Sequence, residues 1–115
     1  MNSAKAPEMG GLGSFEEQVM LAVIRTGADA YGMSVRRELE RVTRRSVTIG
    51  SVYITLDRLE AKGLVTSKRT AAGTDSPSRR VFSVTSAGAK ALSETRAARD
   101  RLWDGINLQP FLREV

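Results

Sequence analysis

The amino-acid sequence predicts a mainly α, α+β fold of three helices, a two-stranded hairpin and a fourth helix. Two observations lead to this prediction. Apolar residues recur at helical spacing over 15–24, 35–42 and 49–59. The pattern then changes to two short β-branched runs on either side of a polar loop. At 115 residues, the chain has room for one domain.

The first predicted helix follows a glycine-rich stretch without apolar periodicity, residues 1–13, which we expect to be a flexible arm. Ser14 and Glu17 have the spacing of an N-terminal capping box. The helix behind them should be largely buried, because its apolar face is wide and includes Phe15, Val19, Met20, Leu21, Ala22, Val23 and Ile24. Gly27 is predicted to end it.

Two further helices are predicted before the hairpin. The first spans 31–43, with Val35, Leu39 and Val42 facing inward. Thr48 should cap the next helix, which ends at Gly63. Its apolar positions have spacings of three, four and three residues and form one stripe, Ile49, Val52, Leu56 and Leu59. At ~100° per residue, this stripe leaves an outward face of Gly50, Ser51, Ile54, Asp57 and Arg58, with Tyr53 and Thr55 on its flanks.

The hairpin is predicted from strands over 64–70 and 80–85, joined by a loop over 71–78 that is rich in turn-forming residues. Thr85 should then cap a fourth helix over 86–106, which Asn107 and Pro110 end.

The composition excludes several functional classes. The chain has no cysteine and no histidine, which removes disulfides, thiolate metal sites and the commonest general base. We therefore expect no catalytic residues, no metal and no cofactor. An enzyme would need a carboxylate pair such as Glu16/Glu17 or Asp100/Asp104, and both pairs have the pattern of helix caps and helix surface.

The sequence also lacks the features of membrane and secreted proteins. No apolar run reaches the ~18 residues that a membrane span requires. The N-terminus has no apolar segment of the kind found in secretory signals. We therefore expect a cytoplasmic protein without a membrane partner.

The charge distribution favours a polyanionic partner. The net charge is +5, and the excess lies in two blocks. Residues 31–47 hold five arginines against two glutamates, and residues 64–84 hold four basic residues against one aspartate. Ordinary solvated surface would explain either block alone. Both blocks, however, lie on the elements that flank the third helix.

Three helices followed by a hairpin is the order of a winged helix-turn-helix, in which the hairpin is the wing. The major groove is about 12 Å wide and admits one helix. Small residues at the start of the third helix would allow close approach to a DNA backbone, and its N-terminal N–H groups could bind phosphate. Hairpin cations could contact phosphates on either side. The candidate DNA-binding residues are Thr48, Gly50, Ser51, Ile54, Arg58, Lys68, Arg69, Arg79 and Arg80.

Three stretches of the sequence resemble the PadR family of transcriptional regulators. They are AYG at 30–32, TIGSVYITLDRLEAKGLV at 48–65 and RRVFSVTSAG at 79–88. They are similar to that family's YGY, GxLYxxLxxLExxGLV and RRxYxxTxxG motifs, in the same order. The resemblance covers about residues 12–105.

The resemblance implies a dimeric winged-helix repressor that binds double-stranded DNA, with the fourth helix as its dimerisation arm. By position, Tyr31 and Tyr53 match family tyrosines associated with DNA backbone contact. The chain departs from the family at Ile54 and Asp57, where basic residues are frequent. Ile54 could contact a thymine methyl group. Asp57 would repel phosphate unless it pairs with a neighbouring cation (Arg58 or Lys62) or with a cytosine amino group.

A dimer seam can be traced along the fourth helix. The candidate interface residues are Ala91, Thr95, Ala98 and Leu102, with Leu92, Trp103 and Ile106 beside them, assisted by Phe15 and Val19 of the first helix. Trp103 is either an interface anchor or a stacking surface for an effector. The resemblance implies that such an effector is a small aromatic or cationic compound held between protomers. A twofold dimer would read a pseudo-palindrome.

The predicted organisation is a flexible arm at 1–13, a winged helix-turn-helix at 14–85, a dimerisation helix at 86–109 and a tail at 110–115. One alternative is a winged helix that binds proteins rather than DNA, which the outward Ile54 and Asp57 would favour. A transcriptional activator and a MarR-like relative are nearer variants, although a hairpin followed by a single helix favours the PadR-like arrangement.

Overall fold

The computed structural model describes residues 12–71, 73 and 77–113. Its elements are α1 (Ser14–Thr26), a short 3-10 turn (Gly27–Asp29), α2 (Gly32–Thr43), α3 (Ile49–Ala61), β1 (Val65–Arg69), β2 (Arg80–Val84), α4 (Ser86–Trp103) and α5 (Gln109–Leu112). The two strands pair antiparallel, Val65 opposite Val84 and Arg69 opposite Arg80. This order confirms the predicted mainly α fold and its winged helix-turn-helix architecture.

The core lies between the first three helices and the hairpin. Three of the four residues in the predicted α3 stripe, Val52, Leu56 and Leu59, are fully buried, whereas the first, Ile49, is half-buried. The three buried residues pack in one cluster with α1, α2 and the strands, through Val19, Met20, Val23, Val35, Leu39, Val65 and Phe82. The side of α3 opposite the stripe is left outside this cluster, where a partner can reach it.

Two of the predicted helix caps are confirmed and one is wrong. Thr48 Oγ1 accepts from the Ser51 N–H at 3.2 Å, and Thr85 Oγ1 accepts from the Gly88 N–H at 3.0 Å. At α1 the cap is Gly13 instead of Ser14, because Glu16 Oε1 accepts from the Gly13 N–H at 3.0 Å. The next residue, Glu17, is left to pair with α4.

The outer faces of α1 and α2 are more exposed than predicted. Leu21, Ile24 and Val42 are each about half exposed, although the apolar pattern placed all three in the core. They line a groove between α1 and α2, and no element among the described residues covers it. Periodicity identified an apolar face correctly but could not show that part of it lies outside the protomer core.

The hairpin is tied to the helices at both ends. The Phe82 N–H donates to the Ala30 carbonyl at 2.8 Å, which adds an extended residue from the end of the 3-10 turn to the edge of β2. Thr85 Oγ1 donates to the Gly63 carbonyl at 2.8 Å. Phe82 itself is buried in the core. These contacts hold the wing in a defined position relative to α3.

The chain termini differ from prediction. Residues 1–11 of the predicted flexible arm lie outside the described residues. Leu12, which belongs to the same predicted arm, packs against the core, and its N–H donates to Thr95 Oγ1 at 3.2 Å. The fourth helix ends at Trp103 instead of residue 106, since Gly105 turns the chain with φ +77°. The predicted tail at 110–115 contains most of α5, which sequence reasoning missed.

We predict that Gly88→Ala destabilises the fold. Gly88 lies in the first turn of α4, where an added Cβ would stand 2.1 Å from the Leu64 carbonyl oxygen. Because that atom belongs to the backbone, the clash cannot be relieved by a side-chain rotation. The free energy of unfolding should fall by about 1–3 kcal/mol in a denaturant titration.

Gly50→Ala is the matched control, because Gly50 lies in the first turn of α3. There an added Cβ would meet no heavy atom of the described residues within 4 Å. Its free energy of unfolding should stay unchanged or rise by up to about 1 kcal/mol. Equal destabilisation by both substitutions would show that α4 does not approach Leu64 this closely.

Candidate nucleic-acid interface

The N-terminal half of α3 presents small and apolar residues to solvent. Thr48 and Gly50 are exposed, Ser51 is half-buried and Ile54 is 62% exposed. The Thr48 hydroxyl oxygen accepts a hydrogen bond from the Ser51 N–H. By helix geometry, the N–H groups of Ile49 and Gly50 have no acceptor within the helix. The start of α3 therefore offers backbone donors and the positive end of a helix dipole.

A tyrosine between two arginines stands beside this helix end. The Arg79 guanidinium carbon lies 4.0 Å from the centroid of the Tyr31 ring. From α2, Arg37 Nη2 donates to Tyr31 Oη at 3.1 Å. Asp29 is a distant partner of Arg79, with 3.9 Å between Arg79 Nη1 and Asp29 Oδ1. We call Tyr31, Arg37 and Arg79 the Tyr31 cluster.

The Tyr31 cluster and α3 share a cavity of about 340 Å³, lined by Tyr31, Tyr53, Arg69, Ser78, Arg79 and Arg80. The Tyr53 ring lies against α2, so close to Gly32 that a Cβ there would stand 2.2 Å from Tyr53 Cζ. A glycine at the start of α2 is therefore what lets the Tyr53 ring occupy this position. The structure thus brings both candidate tyrosines together with the candidate cation Arg79.

Arg80, a candidate phosphate contact, is paired within the protomer instead. Its Nη1 lies 2.9 Å from Asp57 Oδ1, and its Nη2 bonds Glu60. Its Nε donates to Ser67 Oγ at 3.2 Å. Hydrogen bonds from Ser67 and Arg80 lower the pKa of Glu60 below its ordinary value. Arg80 therefore joins the wing to α3 through two carboxylates, and its charge is already neutralised.

The same contact corrects the expectation for Asp57, the acidic residue on the outward face of α3. We expected it to pair with Arg58, Lys62 or a cytosine amino group. Its partner is Arg80, and Lys62 Nζ instead bonds Glu16 Oε2 of α1 at 2.7 Å. Asp57 is thus part of the structure that positions the wing, which explains an acidic side chain on this face.

Other basic residues are exposed on α3, on β1 and in the segment before α3. The candidates Arg58, Lys68 and Arg69 are all exposed. Arg45, which was not among the candidates, lines a groove of about 430 Å³ with Thr48 and Ser51. Arg37 was also missed. The sequence feature that could have identified Arg37 and Arg45 is the basic block at 31–47, because the outward side chains of that block flank the start of the third helix.

Two other arginines of that basic block, Arg36 and Arg41, are bonded inside the protomer. Arg36 Nε donates to the Val47 carbonyl at 2.8 Å. Glu38 bonds both Arg41 and Arg25, at 2.7 and 2.8 Å, and these hydrogen bonds lower the pKa of Glu38 to about 2. These arginines lie away from the cavity beside Tyr31. Fewer arginines are therefore available to a partner than the basic block in the sequence suggests.

The candidate dimer residues divide into two groups. Val19 is fully buried, and Leu92 packs against the core, so neither offers an exposed side chain to a partner. Their side chains are occupied within the protomer. Phe15, Ala91 and Thr95 are half-buried, and Ala98 is exposed. Leu102, Trp103 and Ile106 are also exposed, each by more than half.

An ion pair joins α1 to the second half of α4. Glu17 of α1 is buried and accepts from Arg99 Nη1, with 2.6 Å between Nη1 and Oε2. Arg99 lies in the second half of α4, beyond the part that packs on the core. The pair therefore fixes where the exposed end of α4 stands.

Within the described residues, no group of three or more acidic, histidine or cysteine side chains could hold a metal ion. No helix in this part of the chain is long and apolar enough to cross a membrane.

Two neighbouring arginines should respond differently to substitution. We predict that Arg80→Gln lowers the free energy of unfolding by about 1–2 kcal/mol, because Asp57 and Glu60 lose a shared cation at a partly exposed site. The matched variant Arg79→Gln should leave the free energy of unfolding unchanged in the same denaturant titration. If Arg80→Gln is as stable as the native chain, the ion pairs of Arg80 with Asp57 and Glu60 do not hold the wing against α3.

Comparisons with known proteins identify the family. A model described as the transcriptional regulator PadR-like family matches residues 20–94. Transcriptional regulator Rv3488 of Mycobacterium tuberculosis is 40% identical over 86 residues, which cover 73% of this chain and 78% of that protein.

Solved structures show the same fold. A PadR-like transcription factor from Bacteroides fragilis is 24% identical with a TM-score of 0.67, over 89% of this chain and 92% of that one. A PadR family regulator from Eggerthella lenta is 25% identical with a TM-score of 0.63, over 84% and 82%. The family and these relatives are transcriptional regulators and not enzymes. This chain belongs to the PadR-like family of transcriptional regulators.

Proposed function

We propose that the protein is a homodimeric repressor that binds a pseudo-palindromic operator in double-stranded DNA. PadR-family regulators bind DNA. The observation that carries the proposal for this chain is the exposed start of α3 beside the Tyr31 cluster. These features together offer a rod that fits the major groove and cations placed for the adjoining phosphates.

In this proposal the start of α3 lies in the major groove. Gly50 and Ser51 allow the helix to approach the DNA closely, and the N–H groups of the first turn bind a phosphate. Ile54 lies farther along the exposed face and would contact a thymine methyl group. Arg58, on the same face, is a second candidate for contact with the duplex.

The wing and the Tyr31 cluster contact the phosphate backbone. Arg79 reaches a phosphate from the Tyr31 ring, and Tyr31 and Tyr53 offer hydroxyl groups from the same cavity. Lys68 and Arg69 extend this positive surface along β1. Arg80 has a different role. It positions the wing against α3, and its guanidinium is paired with the carboxylates of Asp57 and Glu60.

The dimer forms through α4. Small and polar side chains on its seam (Ala91, Thr95 and Ala98) permit close approach of two helices. Leu102, Trp103 and Ile106 supply exposed apolar surface. In this organisation residues 14–85 bind DNA, residues 86–109 dimerise and residues 110–115 form the tail. A twofold axis places two α3 helices on half-sites about one turn (~10 bp) apart.

Repression follows from occlusion of a promoter by the bound dimer. A small aromatic or cationic compound that stacks on Trp103 between protomers would change the spacing of the two α3 helices. Such an effector releases DNA only to the extent that it binds the wrongly spaced dimer better than the DNA-bound one.

We predict that binding to the chain's own upstream DNA falls steeply with salt, by ~0.9 in log K per log unit of salt for each phosphate neutralised. Arg79→Gln should reduce this slope by about one phosphate and weaken specific and nonspecific DNA alike. Fluorescence anisotropy at several salt concentrations measures both quantities.

Arg101→Gln is the matched control, because it removes an exposed arginine from α4, away from the proposed contact surface. It should leave the salt slope unchanged. Selective loss on one base pair with Arg79→Gln would contradict a backbone role. An affinity that hardly changes with salt, or no DNA binding at all, would favour a protein-binding winged helix, for which the exposed Ile54 would be the contact.

A further inference from the structure

Local turns and hydrogen bonds define the backbone of the segment after α4, yet its apolar side chains face solvent. Gly105 turns the chain, and Asn107 Oδ1 accepts from the Gln109 N–H at 3.1 Å. Pro110 lies in the first turn of α5. Phe111 is 82% exposed, and Leu112 is 62% exposed. A helix of four residues is too short to be stable alone, so α5 needs a surface that covers it.

The groove between α1 and α2 is an apolar surface that also lacks a cover. It is lined by Leu21, Ile24 and Val42, with Leu39 of the core beneath them, and its volume is about 230 Å³. The charges at its edge neutralise one another, because Glu38 is bonded to Arg25. A groove of this kind favours an apolar side chain over a charged or polar ligand.

We propose that α5 of one protomer docks into the α1–α2 groove of its partner, with Phe111 seated against Leu21 and Val42. This inference rests on the homodimer of the proposed function and adds a second interface to it. We call this reciprocal contact the C-terminal clasp.

Three features favour a second copy as the occupant. Leu92 is the last α4 residue in the core cluster, and eleven further residues of helix carry Trp103 roughly 16 Å beyond it, away from the core of its own protomer. The clasp is continuous with the exposed apolar end of α4, at Leu102 and Trp103. A single twofold axis would form the contact twice, so that neither α5 nor the groove stays exposed.

The clasp would bear on DNA recognition. The groove is formed by α1 and α2, and α2 carries Arg37 of the Tyr31 cluster. Docking of α5 would therefore fix the DNA-binding unit of one protomer to the last residues of the other. The spacing between the two α3 helices would then be set at two places, α4 and the clasp.

Disulfide trapping tests the clasp directly, because the chain contains no cysteine. Phe111→Cys and Val42→Cys are placed in separate full-length chains, which are co-expressed with different tags and oxidised. A cross-linked heterodimer is expected. The matched control replaces Val42→Cys with Ile54→Cys, which puts the thiol on an apolar position of α3 that is at least as exposed as Val42. This control pair should not cross-link.

Other outcomes overturn the clasp. Cross-linking of Phe111→Cys to itself would place the two α5 helices together. A disulfide within one chain that carries both Phe111→Cys and Val42→Cys would show that α5 covers its own groove. A native chain that sediments as a dimer but gives no cross-link would reject the clasp and leave the proposed dimer intact. A native chain that sediments as a monomer would reject both.

A second measurement uses the strength of the dimer. Phe111→Ser should raise the dimer dissociation constant by about a hundredfold to ten-thousandfold, because the twofold contact loses two buried large apolar side chains, one in each copy. Ile54→Ser, which also replaces an exposed apolar side chain with serine, should leave that constant unchanged. Equal dissociation constants for the native chain and Phe111→Ser would contradict the clasp.

Discussion

The exposed DNA-facing surface depends on α3 being anchored in the hydrophobic core through one face. Val52, Leu56 and Leu59 anchor that face in a core shared with α1, α2 and the hairpin. The start of the opposite face is free of such contacts, so the first turn can carry Gly50, where an added side chain would meet open space. A helix anchored in this way keeps its position when a duplex binds, because binding does not compete with folding for the same side chains.

The basic residues of this chain form two groups: those paired with carboxylates inside the protomer and those available for contact with a partner. Arg25, Arg36, Arg41, Arg80 and Arg99 each bond a carboxylate within the protomer. Arg79 stacks on Tyr31 and has only a distant acidic neighbour. Exposed ion pairs add little stability individually. Their larger effect here is to orient the wing and α4 and to leave Arg79 available beside the outward side of α3.

The features predictable from sequence are those with a local cause. The α3 stripe follows from helical period, and the caps at Thr48 and Thr85 follow from residue type. The errors arise where two distant segments meet. Arg79 and Arg80 are identical in local pattern, and only the docking of the hairpin gives Arg80 its partners Asp57 and Glu60. Similarly, periodicity marks Val19 as apolar but cannot distinguish a protomer core from a dimer interface.

Chemical-shift mapping of the ¹⁵N-labelled chain during titration with its own upstream DNA tests the central claim most directly. The account predicts that the largest amide shifts cluster at the start of α3, over 48–54, and at Tyr31 and Arg79. Amides in the buried half of α3, around Leu59, should change little. Saturating DNA binding that leaves 48–54 unperturbed and shifts only α4 or the α1–α2 groove would contradict the account.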